Sequence, residues 1–415
     1  MNMVNVNLKM NVANDLGYGS VKAKIDGDKI KFPSVIAVQR EQDLSKPLTF
    51  DSNQDKVTYL KNMIDHMDVT VSSAAVKTQG RFLVGESAVK SSLPLRAFDV
   101  NDFTGKSEND LSVIITLSMI AAQRIKAAVE NQENIDEQLS AEVIMTTALP
   151  VSEGKQTNVI DQYEDKFMGS KHTVVFHNLK NPITVSIEFK RVYVALEGEV
   201  AQLYIQYSDI RLKGLLKQDF KQNYPELAEQ IEVSDLIKIK NLLGIDIGEG
   251  TTDFVAIKDG RANAVASTSL PNGYGNALQD AIDVLQSQNM NFEARSQLQD
   301  YLASDVSILA KRVQDKVRQV VYDQLEPFAD QIVATASKTM RKAGANIEVL
   351  YVYGGGSIPM LEQTALRQKL AAKLKDYSGG IDIPVIWVDA SYAQILNEKG
   401  LELITNQLAN ENKGE

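Results

Sequence analysis

Gly244-Ile245-Asp246-Ile247-Gly248-Glu249-Gly250-Thr251-Thr252-Asp253 is the stretch on which the fold turns. An apolar run at 242–247 carries an aspartate near its end. Two glycines and two threonines follow before a second apolar run at 253–257. This pattern predicts a strand, a tight turn and a second strand. The residue types also suit one chemistry. An aspartate at a strand end holds a hydrated Mg²⁺, an ion that keeps several waters and takes few protein carboxylates. Gly248 and Gly250 let backbone N–H groups reach phosphate oxygens without a Cβ in the way. Thr251 and Thr252 add hydroxyls that either donate to a terminal phosphate or only brace the hairpin, and Asp253 reads equally as a turn cap.

The same order opens the chain. Residues 11–16 read as a strand that runs into Asp15-Leu16-Gly17-Tyr18-Gly19-Ser20-Val21-Lys22. A strand at 21–25, a turn at Asp26-Gly27-Asp28 and a strand at 29–36 follow. Asp15 takes the metal role, Gly17, Gly19 and Ser20 the phosphate loop, and Lys22 a point charge on the phosphates. Taken alone, the segment reads equally well as a plain glycine hairpin with Asp15 as a turn residue. Its recurrence argues for an internal duplication. Two such hairpins facing each other across a cleft would grip a triphosphate and its metal from both sides. A third glycine run, Gly354-Gly355-Gly356-Ser357, follows an apolar strand at 349–353. It permits close approach of a base or ribose, and a ligand-free strand-to-helix turn is the other reading.

The rest of the chain is α/β in pattern. Helices are expected at 109–130, 197–218, 276–288, 294–322 and 324–344, and further strands at 142–149, 173–176, 184–196 and 383–388. Trp387 sits in the last of these and reads as core. Residues 38–105 are mixed and polar, as in an inserted subdomain or an irregular cap, and 219–238 reads as a helical insertion or connector.

Composition removes several function classes. The 415 residues include no cysteine, which excludes a disulfide scaffold, a thiolate metal site and a thiol nucleophile. The three histidines, His66, His172 and His177, have no HExxH spacing and read as surface or structural residues. A net charge of −10 does not suit direct nucleic-acid binding. The most apolar stretch, 111–122, is too short to span a bilayer. No signal peptide is read, and cytoplasmic residence is the default expectation. Gly105-Lys106-Ser107 ends like a P-loop, but Val100 stands where the first glycine belongs. Lys22 likewise occupies the third glycine position of a dinucleotide fingerprint.

Together the three glycine motifs resemble those of the actin-like ATPase superfamily: two phosphate loops and an adenosine motif, in the same order and at wide spacing. Within it the resemblance is to ParM/StbA-type plasmid-segregation actins. Phe32-Pro33-Ser34, Leu149-Pro150-Val151-Ser152 and Gly273-Tyr274-Gly275 are similar to segments of that pattern. Val194-Ala195-Leu196-Glu197-Gly198 resembles the first interdomain connector, and Ile395-Leu396-Asn397-Glu398-Lys399-Gly400 the second.

The resemblance implies an actin-like fold of two RNase H-like α/β domains flanking a nucleotide cleft. Domain I would span 1–198, with an insertion at about 38–105 and completion by 390–415, and domain II 199–389. It implies ATP hydrolysis with Mg²⁺ (GTP is not separated from ATP by these residues). Asp15 and Asp246 would orient the metal, and Glu197 would position or deprotonate the attacking water. Leu196 stands where such families often have proline, and Glu199 is the rival to Glu197. Gly273 and Gly275 would lie near the phosphates and ribose. The implied partners are further copies of the chain in a filament, a DNA-binding adaptor of ParR type and, through it, plasmid DNA; no membrane is expected. A metabolite kinase or a membrane-linked cytoskeletal or division protein on the same fold is the alternative.

Overall fold

The structure is a computed structural model and describes residues 6–99, 105–344 and 347–411. The chain forms two compact units. One comprises Met1–Leu149, Glu153–Leu196 and Glu398–Glu415; the other comprises Pro150–Ser152 and Glu197–Asn397.

The first unit is built on a ten-stranded sheet. Its strands are β1 (Asn7–Leu16), β2 (Ser20–Ile25), β3 (Asp28–Pro33), β4 (Val35–Gln39), β5 (Asp68–Ser72), β6 (Arg81–Val84), β7 (Leu95–Ala97), β8 (Leu139–Leu149), β9 (His172–Phe176) and β10 (Ile183–Leu196). They lie in the order β3-β2-β1-β8-β10-β9-β5-β6-β4-β7. β8 runs parallel to both neighbours, β1 and β10. The other pairings are antiparallel. The β2–β3 hairpin turns through Asp26 and Gly27, both at positive φ, the backbone that a two-residue hairpin turn requires. Residues 38–105 show no strong sequence period because their strands are short. They nevertheless pair into the sheet through β5, β6 and β7.

The helix Asp110–Glu130 starts where the Asn109 side chain accepts from the Leu111 amide. Its apolar residues go almost entirely into the core that it shares with β1, β8 and β10. It is long and apolar enough to cross a membrane by length and composition, and in this unit 83% of that window is buried. The charged residue buried with them is Arg124, which is 0% exposed. It pairs with Glu133 and donates to the carbonyls of Ser140 (2.8 Å) and Val6 (3.0 Å).

The second unit has the strands β11 (Leu242–Ile247), β12 (Thr252–Lys258), β13 (Arg261–Ala262), β14 (Thr268–Leu270), β15 (Val349–Tyr353) and β16 (Val385–Trp387). Their order is β13-β12-β11-β15-β16, with β14 paired to β12. β15 is parallel to both β11 and β16, and β12 is antiparallel to β11 and β13. This repeats β3-β2-β1-β8-β10 strand for strand, so the duplication read from sequence is present in the sheets. Trp387 is buried and donates from Nε1 to the Ser357 carbonyl (3.1 Å).

Two helix boundaries differ from expectation. The segment 197–218 is not one helix but two, Glu199–Gln206 and Ile210–Asn223. Asp209 makes the break: its Oδ1 caps the Leu212 amide (2.8 Å), and its carboxylate also accepts from the hydroxyls of Tyr204 and Tyr392. Farther on, the helices are Tyr274–Ser287, Arg295–Ala303 and Ile308–Ala343. The chain breaks at 304–307, where Ser307 caps, and not at 323. Pro327 lies inside the last helix, which should cost about 3 kcal/mol. Buried Leu325, Phe328, Ala329 and Ile332 flank it. Each large apolar side chain among them returns about 1.5–3 kcal/mol, enough to keep the helix continuous.

Replacing Arg124 by Met strands the buried Glu133 carboxylate and removes the donor from two carbonyls. It should lower stability by about 3–5 kcal/mol, read as a fall in the urea midpoint. Arg124→Met/Glu133→Leu should recover part of the loss. An unchanged midpoint in the single variant would show that the pair is not a buried constraint.

Candidate functional site

In each unit the first strand of the repeated sheet ends in an aspartate and a glycine turn. The same bond closes both turns: the Gly17 amide donates to the Ser20 carbonyl (3.1 Å), and the Gly248 amide to the Thr251 carbonyl (2.9 Å). A Cβ on either glycine would come within 3 Å of the accepting carbonyl, which selects glycine there. Asp15 lies opposite Lys22 across β1–β2, as Asp246 lies opposite Asp253 across β11–β12.

Around the first turn, Asp15 is buried, and burial pushes its carboxyl pKa up while Lys22 and Lys106 pull it back. Lys106 is a residue that sequence reasoning missed. Its Nζ donates to the Leu16 carbonyl (2.9 Å) and lies 4.3 Å over the Tyr18 ring. Glu153 holds it there by accepting from the Lys106 and Ser107 amides (3.0 and 2.9 Å). The run that fails as a P-loop therefore still brings a lysine to a glycine turn, which no spacing rule would show. Ser20 contributes its carbonyl to turn closure, and the Gly19 carbonyl accepts from the Ser34 amide (3.1 Å). Glu398, in the first turn of the helix Leu396–Glu411, was read only as part of a connector. It is 4% exposed, and its Oε1 has no hydrogen-bond partner. Burial raises its pKa, and the charge of Asp15 adds to the effect.

In the second unit Asp246 gathers several segments. Its Oδ2 accepts from the Asn397 side-chain amide (2.7 Å). Its Oδ1 would be 2.3 Å from a Cβ on Gly354, a residue held at φ +89°. The Gly356 amide donates to the Ile247 carbonyl (2.8 Å), so the third glycine run lies directly on the strand end. Gly355 differs from its neighbours, because a Cβ there meets only Gln394 at ordinary contact distance. Ser357 folds back on the Gly354 carbonyl from both its amide and its hydroxyl. Gly273, Tyr274 and Gly275 pack on the turn: the Tyr274 amide donates to the Gly248 carbonyl (3.0 Å), and the Gly275 amide to the Glu249 carbonyl (2.8 Å). Buried Gly250 completes the turn.

The threonine hydroxyls are engaged within the hairpin. Thr251 donates to Asp253 Oδ2 (3.0 Å) and Thr252 to the Asn272 carbonyl (2.9 Å). Asp253 also accepts from Ser269 (2.5 Å) and from the Val151 amide (3.3 Å).

Glu197 is buried at the end of β10, just before Gly198 at φ +80°. The Gly198 amide donates to Asn397 Oδ1 (3.2 Å), and its carbonyl accepts from the Tyr353 hydroxyl (3.1 Å). One Asn397 side chain thus ties the residue after Glu197 to Asp246. Glu199 is half-buried, and burial raises its pKa. Among the described residues no group of three His, Cys, Asp or Glu side chains is gathered to hold a metal. His172 is buried between Ser73 Oγ and the Phe167 carbonyl, and His177 bonds Thr70.

The structure therefore collects Asp15, the turn at 17–20, Lys22 and Lys106 in one unit. In the other it collects Asp246, the turn at 248–251, the glycines at 273, 275 and 354–356, and Glu197.

Residues 13–199 match the family model for the N-terminal domain of actin like proteins, and residues 244–365 match that for the C-terminal region of the archaeal MreB-like actin homologue. No curated protein matches the chain. Among solved structures, the actin-like protein Alp7A is 17% identical, with 99% of this chain and 100% of that one covered and a TM-score of 0.64. The archaeal actin homologue Ta0583 is 16% identical over 96% and 99%, with a TM-score of 0.58. ParM from Bacillus thuringiensis, solved with ADP, is 16% identical over 97% and 99%, with a TM-score of 0.57. Both units thus match models of actin-like domains, and the chain has an actin-like fold along nearly its whole length.

Proposed function

We propose that the chain binds and hydrolyses ATP with Mg²⁺ and assembles into nucleotide-dependent filaments in the cytoplasm. We further propose that these filaments move plasmid DNA through a DNA-binding adaptor of ParR type. The observation that carries the nucleotide reading is the repeated turn: an aspartate, a glycine and the same closing hydrogen bond at the end of the same strand in two sheets of the same order. The ADP in the similar Bacillus thuringiensis ParM structure agrees with it.

The residues fit the implied ligands. Carboxylate oxygens of Asp15 and Asp246 are the hard donors that hydrated Mg²⁺ takes. Gly354, where a Cβ would meet Asp246 Oδ1 at 2.3 Å and the Ile247 carbonyl at 2.4 Å, seats the third glycine run directly against the strand end that carries Asp246. Bound MgATP supplies the phosphoanhydride and the charge neutralisation that phosphoryl transfer needs. For its part, the chain binds and orients. Lys22 offers positive charge to the phosphates, and Lys106 stiffens the first turn through the Leu16 carbonyl. Gly354 and Gly356 bring the backbone close to the nucleoside. Glu197 accepts hydrogen bonding from the attacking water, and Asn397 keeps the Glu197–Gly198 peptide in register with Asp246.

Three outcomes test this. Asp246→Ala should abolish ATP-dependent phosphate release; near-normal turnover refutes its role. Glu197→Gln should lower turnover by roughly 10²–10⁴-fold while nucleotide affinity stays within a few-fold. If turnover does not change, the role passes to Glu199, which the matching variant would show. Gly354→Ala drives a methyl group into Asp246 at a strained φ and should weaken binding of a fluorescent nucleotide at least tenfold, whereas Gly355→Ala should change it little. Electron microscopy of the wild type with and without ATP checks the filament reading. Transfer of phosphate to a small metabolite in place of water would instead mark a kinase.

A further inference from the structure

The second unit carries an exposed apolar knob and an apolar groove at opposite ends of one helix. The knob is the start of Ile308–Ala343, where Ile308 is 88%, Leu309 85% and Val313 49% exposed. Lys311, Arg312 and Lys316 follow it in sequence, with the acids Asp305 before it and Asp315 among them. No acidic partner is paired with Lys311, Arg312 or Lys316 among the described residues. A helix N-terminus already carries partial positive charge, so this basic cluster works against the helix that bears it. Its placement makes sense when the acids come from elsewhere.

The groove, about 930 Å³, lies beyond the other end of the helix. Leu227, Ile231, Ile239, Ile347, Tyr377 and Ile381 give it an apolar floor. Ile381 is 69% exposed, and the buried Tyr377 hydroxyl has no hydrogen-bond partner. Its charged lining residues, Asp235, Glu348 and Asp382, are all acids. Glu348 accepts from the Asn241 amide (3.0 Å) and pairs with no cation among the described residues.

A 36-residue helix is about 54 Å long. Ile347 is four residues past Ala343, hence within about 15 Å of it. Knob and groove are therefore roughly 40 Å or more apart and cannot meet within one molecule.

We propose that the knob of one molecule seats in the groove of a second copy of this chain, Ile308, Leu309 and Val313 on the apolar floor and Lys311 and Arg312 on the acids. Two different patches on one molecule make a heterologous contact, which propagates when it does not close on itself. The contact rests on the filament reading above and gives it a physical surface. It should weaken with salt, as a contact with a charged rim does.

Reciprocal variants test it. I308D/L309D keeps the groove and loses the knob; E348K/D382K keeps the knob and loses the groove. With ATP, each alone should need at least tenfold more protein to pellet than the wild type. Mixed, they should form a 1:1 dimer by sedimentation velocity and no polymer, because one intact contact remains per pair. The charge swap K311E/R312E/E348K/D382K should restore pelleting, which separates the contact from a folding defect. If both variants pellet like the wild type, the contact is refuted and the filament reading stands. A mixed dimer without wild-type polymer keeps the contact and removes the filament. Absence of both refutes both. If I308D/L309D still pellets but loses wild-type binding to phosphatidylserine vesicles, the knob is a membrane element and the proposal falls.

Discussion

The second unit's loops depend on one carboxylate. Asp246 sits at the end of a strand buried on both faces, where it accepts from Asn397 and lies against Gly354. Two segments distant in sequence converge on it beside its own β11–β12 turn: the connector at 197–198 through Asn397, and the glycine run at 354–356. A buried anion must be matched by donors or by space for a cation. That requirement accounts for the side-chain amide that donates to it, while Gly354 packs so close that no Cβ fits there.

The first unit meets the same requirement differently. Asp15 is also buried, but its neighbours are lysines, one across the hairpin and one from the segment at 105–107. The repeated backbone is thus furnished with unlike side chains. An amide steadies one aspartate and ammonium groups the other. Glu398 adds a second carboxyl near Asp15 whose buried Oε1 has no hydrogen-bond partner, so this side concentrates both the positive charge and the unsatisfied acid.

The turns and the central strands were legible because their signals are local: an apolar run, an aspartate, glycines, and Asp-Gly at the hairpin. The duplication was legible from seeing the pattern twice, and the order of the strands in each sheet came from the structure. What escaped depends on contacts far apart in the chain. Lys106 reaches Leu16 across 90 residues, and Asn397 reaches Asp246 across 151. Neither has a flanking pattern that announces it. The helix limits failed for a related reason. Asp209 ends a helix that its apolar period would continue, because Tyr392 and Tyr204 fix its carboxylate. Pro327 fails to end one because the packing on both sides of it outweighs the missing bond. Of the two readings of Thr251 and Thr252, the structure has the bracing one: their hydroxyls point inward to Asp253 and the Asn272 carbonyl.

That inward turn of the two threonines bears on how the family can diverge. A loop whose hydroxyls are spent on its own scaffold must greet any anion with peptide groups, and peptide groups are the same whatever the side chain. Selection then acts on the shape of the bend and leaves its decoration to drift. The chain and Alp7A share about one residue in six and the same fold along nearly their whole lengths.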